Sequence, residues 1–217
     1  MIVAQAKPFE AVRNGLGGAR RVLVAACAEC VTVCGTGGER EAELLAFALR
    51  LAARREGRTP SVTTTVIQRQ CEPEFLERAG EAVRSADAVV SLACGVGVGF
   101  LADAYPQVRV LPGLDTVFGG GTLTPGVFEE RCRMCGECVL GETGGICPVT
   151  RCAKNLWNGP CGGSVEGRCE VDPQVSCAWQ DIWDRLVSRG EAGSLEEITP
   201  PKDWSASGQL RRMVRLP

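Results

Sequence analysis

Apolar positions run along the first half of this chain in two alternating periods. Residues 21–26, Arg-Val-Leu-Val-Ala-Ala, form a short apolar run, the pattern of a buried strand. Residues 39–55 place Ala42, Leu45, Ala46, Leu49 and Ala53 at helical spacing, with acids in the first turn and Gly57 beyond the end. Residues 61–67, rich in Val and Thr, predict a second strand. A second helix follows over 72–84, with Pro73 tolerated in its first turn. Residues 88–93 predict a third strand, then come a glycine-interrupted turn and a short helix over 98–104. Residues 109–111 predict a fourth, short strand before Pro112. Strands alternating with helices imply right-handed crossovers and a parallel sheet covered on both faces. The expectation is an α/β fold, a small flavodoxin- or Rossmann-like domain over residues 1–126.

The pattern then stops. Residues 118–126, a Gly/Pro/Thr segment, read as a natural boundary. Residues 127–189 have few aliphatic side chains and many glycines, so this module must be held by ligands rather than by a core. A closing helix over 178–187 puts Ile182, Trp183, Leu186 and Val187 on its apolar side, with Gly190 at its end. Trp179 and Trp183 read as packing rather than as electron relays. Residues 190–217 carry Pro-Pro-Lys-Asp-Trp at 200–204 and then Arg211, Arg212, Met213, Val214 and Arg215. This extended tail has no core of its own and reads as a partner-docking arm or as disorder.

A net charge of −2 argues against a nucleic-acid partner. No apolar run approaches a membrane span, and the first residues lack the apolar stretch of a secretory signal. The expected location is cytoplasmic, where thiols stay reduced. That matters because the chain has 13 cysteines and no histidine. An odd count fits a disulfide framework poorly, and a zinc site would be all-cysteine or use carboxylates. Proton-transfer catalysis loses its commonest agent.

Eight thiols fall in one stretch: Cys132, Cys135, Cys138, Cys147, Cys152, Cys161, Cys169 and Cys177. The opening C-x2-C-x2-C with a distal Cys-Pro is the ferredoxin pattern for [4Fe–4S] ligation. Eight residues separate Cys138 from Cys147, where bacterial ferredoxins have three, so this is not a ferredoxin repeat. Structural zinc prefers two close thiol pairs around a spacer. Two clusters, or one cluster and one four-thiolate zinc site, both satisfy the arithmetic of eight, and spacing leaves the partition open. Cys27, Cys30 and Cys34 follow the first strand, Cys71 follows the second, and Cys94 ends the third. All five lie at carboxyl ends of strands, where open α/β sheets build their sites. Cys27, Cys30, Cys34 and Cys94 are the expected ligands. Cys71 is an alternative ligand or a buried thiol. The bland reading of a lone strand-end Cys is core, and a C-x-x-C after a strand could be a thioredoxin-like redox pair, but neither explains the triplet. The total expectation is two or three [4Fe–4S] clusters, with zinc open for the module. Arg151, Lys154 and Asn158 lie among these ligands, either as a solvated face or as charge compensation and hydrogen bonds to cluster sulfurs. Gly95-Val-Gly-Val-Gly99 lacks the full dinucleotide spacing and reads as a glycine turn that lets the backbone approach a cluster.

The run Thr143-Gly-Gly-Ile-Cys-Pro148, then Cys152-Ala-Lys154, Asn158-Gly-Pro-Cys-Gly-Gly163, Cys169-Glu-Val171 and Cys177-Ala-Trp179 resembles the methylenetetrahydrofolate reductase C-terminal domain family. The N-terminal C-x2-C-V-T-V-C, the Gln70-Cys71 pair and the turn after Cys94 resemble the small, MetV-type iron–sulfur subunit of two-subunit reductases. The Pro-Pro-Lys-Asp-Trp tail is similar to that family as well. The resemblance implies a non-catalytic subunit that passes electrons to the flavin of a (β/α)8 catalytic reductase subunit. That partner would reduce methylene- to methyl-tetrahydrofolate in one-carbon metabolism of the Wood–Ljungdahl type. A ferredoxin- or heterodisulfide-reductase-like complex would donate the electrons. Two other readings compete. One is a zinc-stabilised scaffold that docks the reductase to its donor without conducting electrons. The other is a thiol or methyl-transfer enzyme with Cys71 or Cys94 as nucleophile, disfavoured because no His or paired acid accompanies those thiols.

Overall fold

The computed structural model describes residues 1–208 and divides into two compact units, the first Met1–Phe128 and the second beginning at Glu129. In the first unit, β1 (Ile2–Ala6) and α1 (Phe9–Leu16) precede β2 (Arg21–Cys27). A short α2 (Cys30–Val33) and the long α3 (Glu39–Arg55) lead to β3 (Ser61–Ile67). Then come α4 (Pro73–Arg78), α5 (Gly80–Ser85), β4 (Ala88–Leu92), α6 (Gly95–Ala104) and β5 (Arg109–Pro112). β2, β3, β4 and β5 form one parallel sheet in the order β3-β2-β4-β5.

The two-residue period of β2 explains why this sheet needs helices on both faces. Val22, Val24 and Ala26 join Val12, Leu16, Ala42, Ala46 and Leu49 in one core. Leu23 and Ala25 join Leu76, Val83, Leu101 and Tyr105 in the other. The expected parallel α/β domain is therefore present. Its strand order reverses direction between β2 and β4, which makes the crevice beyond their carboxyl ends the topological switch point.

Several local expectations need correction. The helix expected over 72–84 is two helices. The Tyr105 hydroxyl donates to the Leu76 carbonyl at 2.7 Å, taking an acceptor of the helical ladder at the break. The helix expected from Val98 begins at Gly95. The segment 118–126, read as a boundary, lies mostly within a strand, β6 (Leu114–Thr124), which turns at Gly126 into β7 (Val127–Cys132), and the first unit ends just beyond it at Phe128. β6 pairs antiparallel with β1 and is the middle strand of a second sheet, order β1-β6-β7. Pairing on both sides overrides the low strand propensity of its glycines.

The second unit is built on little apolar mass. It contains α7 (Pro148–Arg151), α8 (Ala178–Arg189), a 3-10 turn (Ala192–Glu196) and α9 (Ser205–Gly208). Its core is Ile146, Trp179, Ile182 and Leu186, with Leu156, Leu195, Cys152 and Cys177 packed against them. Gly190 ends α8 in the left-handed conformation. Residues 191–204 fold back within this unit: Leu195 joins the core, and Asn158 Nδ2 donates to the carbonyls of Thr199 at 3.1 Å and Pro200 at 3.4 Å. Arg211, Arg212, Met213, Val214 and Arg215 lie outside the described residues. Among the described residues, no helix is long and apolar enough to cross a membrane.

Candidate functional site

The sheet delivers three thiols to its switch point. Cys27 is the last residue of β2 and pairs in register with Ile67, the last residue of β3. Cys71 lies four positions beyond Ile67, and Cys94 lies two beyond Leu92, the partner of Ala26. Burial above all pushes the Cys71 thiol up, and the proximity of Cys27 and Cys94 pushes it the same way. Cys94 is the cap residue before α6, whose first amide, Gly95 N–H, donates to Thr116 Oγ1 at 2.8 Å.

Gln70 fixes this arrangement from beneath. It is wholly buried, donates through Nε2 to the carbonyls of Ala25 and Ala26 at 3.0 Å each, and accepts from Ser91 Oγ at 2.7 Å. Every polar atom of this amide's main bonding directions is used, as burial demands. A side chain at position 97 would meet Ala93 Cβ at 2.8 Å and Gln70 Cβ at 3.0 Å. Gly97 is therefore an approach site between α6 and the Gln70 segment, which accounts for part of the glycine run.

Cys30 opens α2 and Cys34 closes it, so their thiols are not placed by the sheet. Cys34 faces β1 instead. Its Sγ donates to the Ile2 carbonyl at 3.6 Å, and burial pushes its thiol up against the opposing effect of the Ala4 amide, with nearby Cys30 adding to the rise. The expected quartet of Cys27, Cys30, Cys34 and Cys94 thus divides: Cys71 sits with Cys27 and Cys94, whereas Cys34 sits with Cys30. Cys71 comes close to Cys27 from the turn after β3, and no sequence spacing announces that approach.

In the second unit four of the eight thiols share a cavity, and the other four are placed one by one along the chain. Cys132 ends β7 and starts a tight loop, in which the Met134 N–H donates to Cys132 Sγ at 3.3 Å and Cys135 Sγ donates to the Glu137 carbonyl at 3.4 Å. Met134 and Gly136 have φ of 52° and 90°, so the loop turns through the left-handed region to aim an amide at sulfur. Cys147 caps α7, whose first residue is Pro148.

The other four, Cys152, Cys161, Cys169 and Cys177, line one small cavity of about 20 Å³. Cys152 follows α7, Cys177 caps α8, and the chain between them supplies Cys161 and Cys169. Gly163 N–H donates to Cys161 Sγ at 3.5 Å. The backbone amides of Asp172 and Val171, with a smaller contribution from Ala153, hold the Cys169 thiol below the ordinary cysteine range. The Ser164 hydroxyl also lines this cavity, buried and without a hydrogen-bond partner. Among the described residues, no three or more Cys, Asp or Glu side chains stand in ligating geometry.

Arg151 and Lys154 line the same cavity. Arg151 is ion-paired with Glu129 at 3.1 Å and Asp181 at 3.8 Å, and Lys154 pairs with Glu170. Asn158 lies apart from them, on a wider hollow of about 930 Å³ bounded by Trp157, Trp179, Trp183 and residues 194–200. Trp179 is buried and donates to the Leu156 carbonyl at 3.0 Å. One functional candidate escaped the sequence reading: Lys202, whose side chain is wholly buried and paired with Glu137 between the second and third thiols of the opening loop.

Residues 111–205 match the family model described as the methylene-tetrahydrofolate reductase C terminal. The matched span takes in all eight thiols of the second unit and none of the five in the α/β sheet domain. No curated protein and no solved structure matches the chain.

Proposed function

We propose that a chain carrying this reductase C-terminal region is the electron-carrying accessory subunit of a methylenetetrahydrofolate reductase complex. Its thiols would hold iron–sulfur centres, and a separate flavin-bearing subunit would bind folate and reduce methylene- to methyl-tetrahydrofolate. The single observation that carries the reading is the convergence of Cys152, Cys161, Cys169 and Cys177 on one cavity inside the matched region.

The residue types, though not yet their spacing, suit a thiolate-held metal group. The donor set is all sulfur, the class that selects zinc or iron–sulfur. Backbone amides already point at Cys132, Cys161 and Cys169, where they would offset thiolate charge. The orphaned Ser164 hydroxyl is a donor facing the same space. Cys132, Cys135, Cys138 and Cys147 would form one set and the cavity thiols another. In the sheet domain Cys27, Cys71 and Cys94 would form the base of a third, with Cys30 or Cys34 of the neighbouring α2 turn as its fourth ligand. Iron–sulfur groups bound there would supply one-electron transfer. The protein's own part is to exclude water, fix the thiols and set potentials through amides and the flanking Arg151 and Lys154.

The size of the cavity favours a second reading for one site. About 20 Å³ admits one water-sized occupant. That suits a single zinc ion better than a four-iron cube, and would make the Cys152–Cys177 set a structural fastener beside a redox-active Cys132–Cys147 set. Anaerobic purification with iron, sulfide and zinc analysis, and EPR of the reduced protein, tests both. Iron with matching sulfide and a reduced-cluster signal is expected. Colourless protein holding zinc alone would sink the electron-transfer role and leave the scaffold.

A further inference from the structure

Lys202 lies in a stretch with no apolar period, yet its side chain has 0% exposure. An ammonium is buried only when paired and hydrogen-bonded. Here the partners come from one residue and two rings. Nζ donates to Glu137 Oε2 at 3.1 Å and to the Glu137 backbone carbonyl at 3.3 Å. It also lies 4.5 Å from the centre of the Trp157 ring and 5.4 Å from that of Trp204. Two indole faces stabilise a cation they desolvate.

The position of Glu137 gives this contact its meaning. It stands between Cys135 and Cys138, and the carbonyl that accepts from Lys202 also accepts from Cys135 Sγ. One buried cation therefore grips both the backbone and the side chain at the middle of the C-x2-C-x2-C loop, from a point 65 residues further along. Asn158 holds the approaching tail at Thr199 and Pro200, so the segment reaches Lys202 already anchored. If the loop shifted, the ammonium would lose its carboxylate and its carbonyl together.

We propose that Lys202 is a positioning residue for the Cys132–Cys138 loop. The tail is a clasp, with Lys202 as its tooth and the Trp157–Trp204 pair as its socket, and it holds Cys135 and Cys138 in their places. That these thiols are metal ligands rests on the reading above; that the clasp holds them does not. The test uses the full chain, purified anaerobically with whatever metal it carries. Iodoacetamide labelling of each cysteine is timed by mass spectrometry for the native protein, Lys202→Met, Lys202→Arg and Glu137→Gln.

Lys202→Met should speed labelling of Cys135 and Cys138 by about tenfold, the order expected when a charge-assisted hydrogen bond to a half-exposed carboxylate is lost. Cys152, Cys161, Cys169 and Cys177 should change by less than about twofold, because they lie in a separate cavity with its own fixing contacts. Lys202→Arg, which keeps a cation for the rings, should lie near the native rates. Glu137→Gln alters a side chain that is 55% exposed and keeps the backbone carbonyl, so it tests the clasp with the fold intact and should give a smaller rise at the same two thiols. Equal acceleration at all eight thiols would show a general structural role and overturn the proposal, as would unchanged rates in both Lys202→Met and Glu137→Gln. Absence of metal in the native protein would defeat the ligand reading while leaving this contrast in force.

Discussion

The two units of this chain hold their thiols by opposite means. In the first, a parallel sheet with a core on each face exists first, and Cys27, Cys71 and Cys94 are placed by strand ends. In the second, the apolar cluster among the described residues is small, Ile146, Trp179, Ile182 and Leu186, and two of the eight thiols, Cys152 and Cys177, pack against it. If the proposed metal groups are present, the same residue type is cargo in one unit and framework in the other. Sheet thiols should be removable without loss of fold, whereas the module thiols should not.

The largest effect should follow from stripping metal or changing Cys169→Ser. Small thiolate modules draw on the order of 10 kcal/mol of folding free energy from a bound structural metal. Hydrogen exchange should show α8 losing protection while β2 and β4 keep theirs. Persistent protection of α8 after complete metal removal would mean the small core suffices, and the comparison would fail. Next comes Leu101→Ala, fully buried in the sheet domain. It should cost about 2–5 kcal/mol in urea unfolding of the first unit and leave α8 protection unchanged.

Legibility in the sequence followed the same division. β2 and β4 could be read because every position but Arg21 is buried, so apolar character is continuous. β1 and β6 could not. β6 owes its conformation to partners on both sides, and Gly119, Gly120 and Gly121 carry no side chain to show a period. The break after Arg78 was hidden because its carbonyl contact comes from Tyr105, 29 positions from Leu76. The thiols themselves announced the site, but not their grouping. Cys34 stands closer in sequence to Cys27 than Cys71 does, yet the turn after β3 brings Cys71 in while α2 carries Cys34 towards β1. Lys202 gave no signal beyond lying in Pro-Pro-Lys-Asp-Trp, because a single buried charge has no periodicity.

Gln70 probes how firmly the sheet fixes its thiols. Gln70→Leu would leave the Ser91 hydroxyl and two backbone carbonyls without their partner. A cost of about 1–3 kcal/mol is expected. Faster alkylation of Cys71, with Cys34 unaffected, should accompany it. A stability loss without that change at Cys71 would show that Gln70 braces the core alone.

The smallest effect belongs to the opposite edge of the same sheet. Asp87, just before β4, accepts from Arg21 Nε at 3.0 Å and Nη2 at 2.7 Å, and from the amides of Arg20 at 3.0 Å and Arg21 at 2.8 Å. The Arg21 side chain, and then these amides, hold its carboxyl below the ordinary aspartate range. A carboxylate whose pKa is lower folded than unfolded stabilises above its unfolded value, and that contribution disappears as pH falls through the folded value. The pair is solvent-exposed, so salt should weaken it. Asp87→Asn should therefore lower the urea midpoint slightly near neutral pH, with the gap to the native protein closing as pH drops below about 4. Glu56 and Asp203 are also depressed, by Arg58 and by Ser205, and contribute to any acid limb of the native protein. Only the difference between the two proteins isolates Asp87. A gap that persists unchanged at about pH 3 would mean that the second acceptor oxygen, which Asn lacks, and not the charge, joins the amino ends of β2 and β4. That edge would then be held, like the thiol edge, by hydrogen bonds to the backbone.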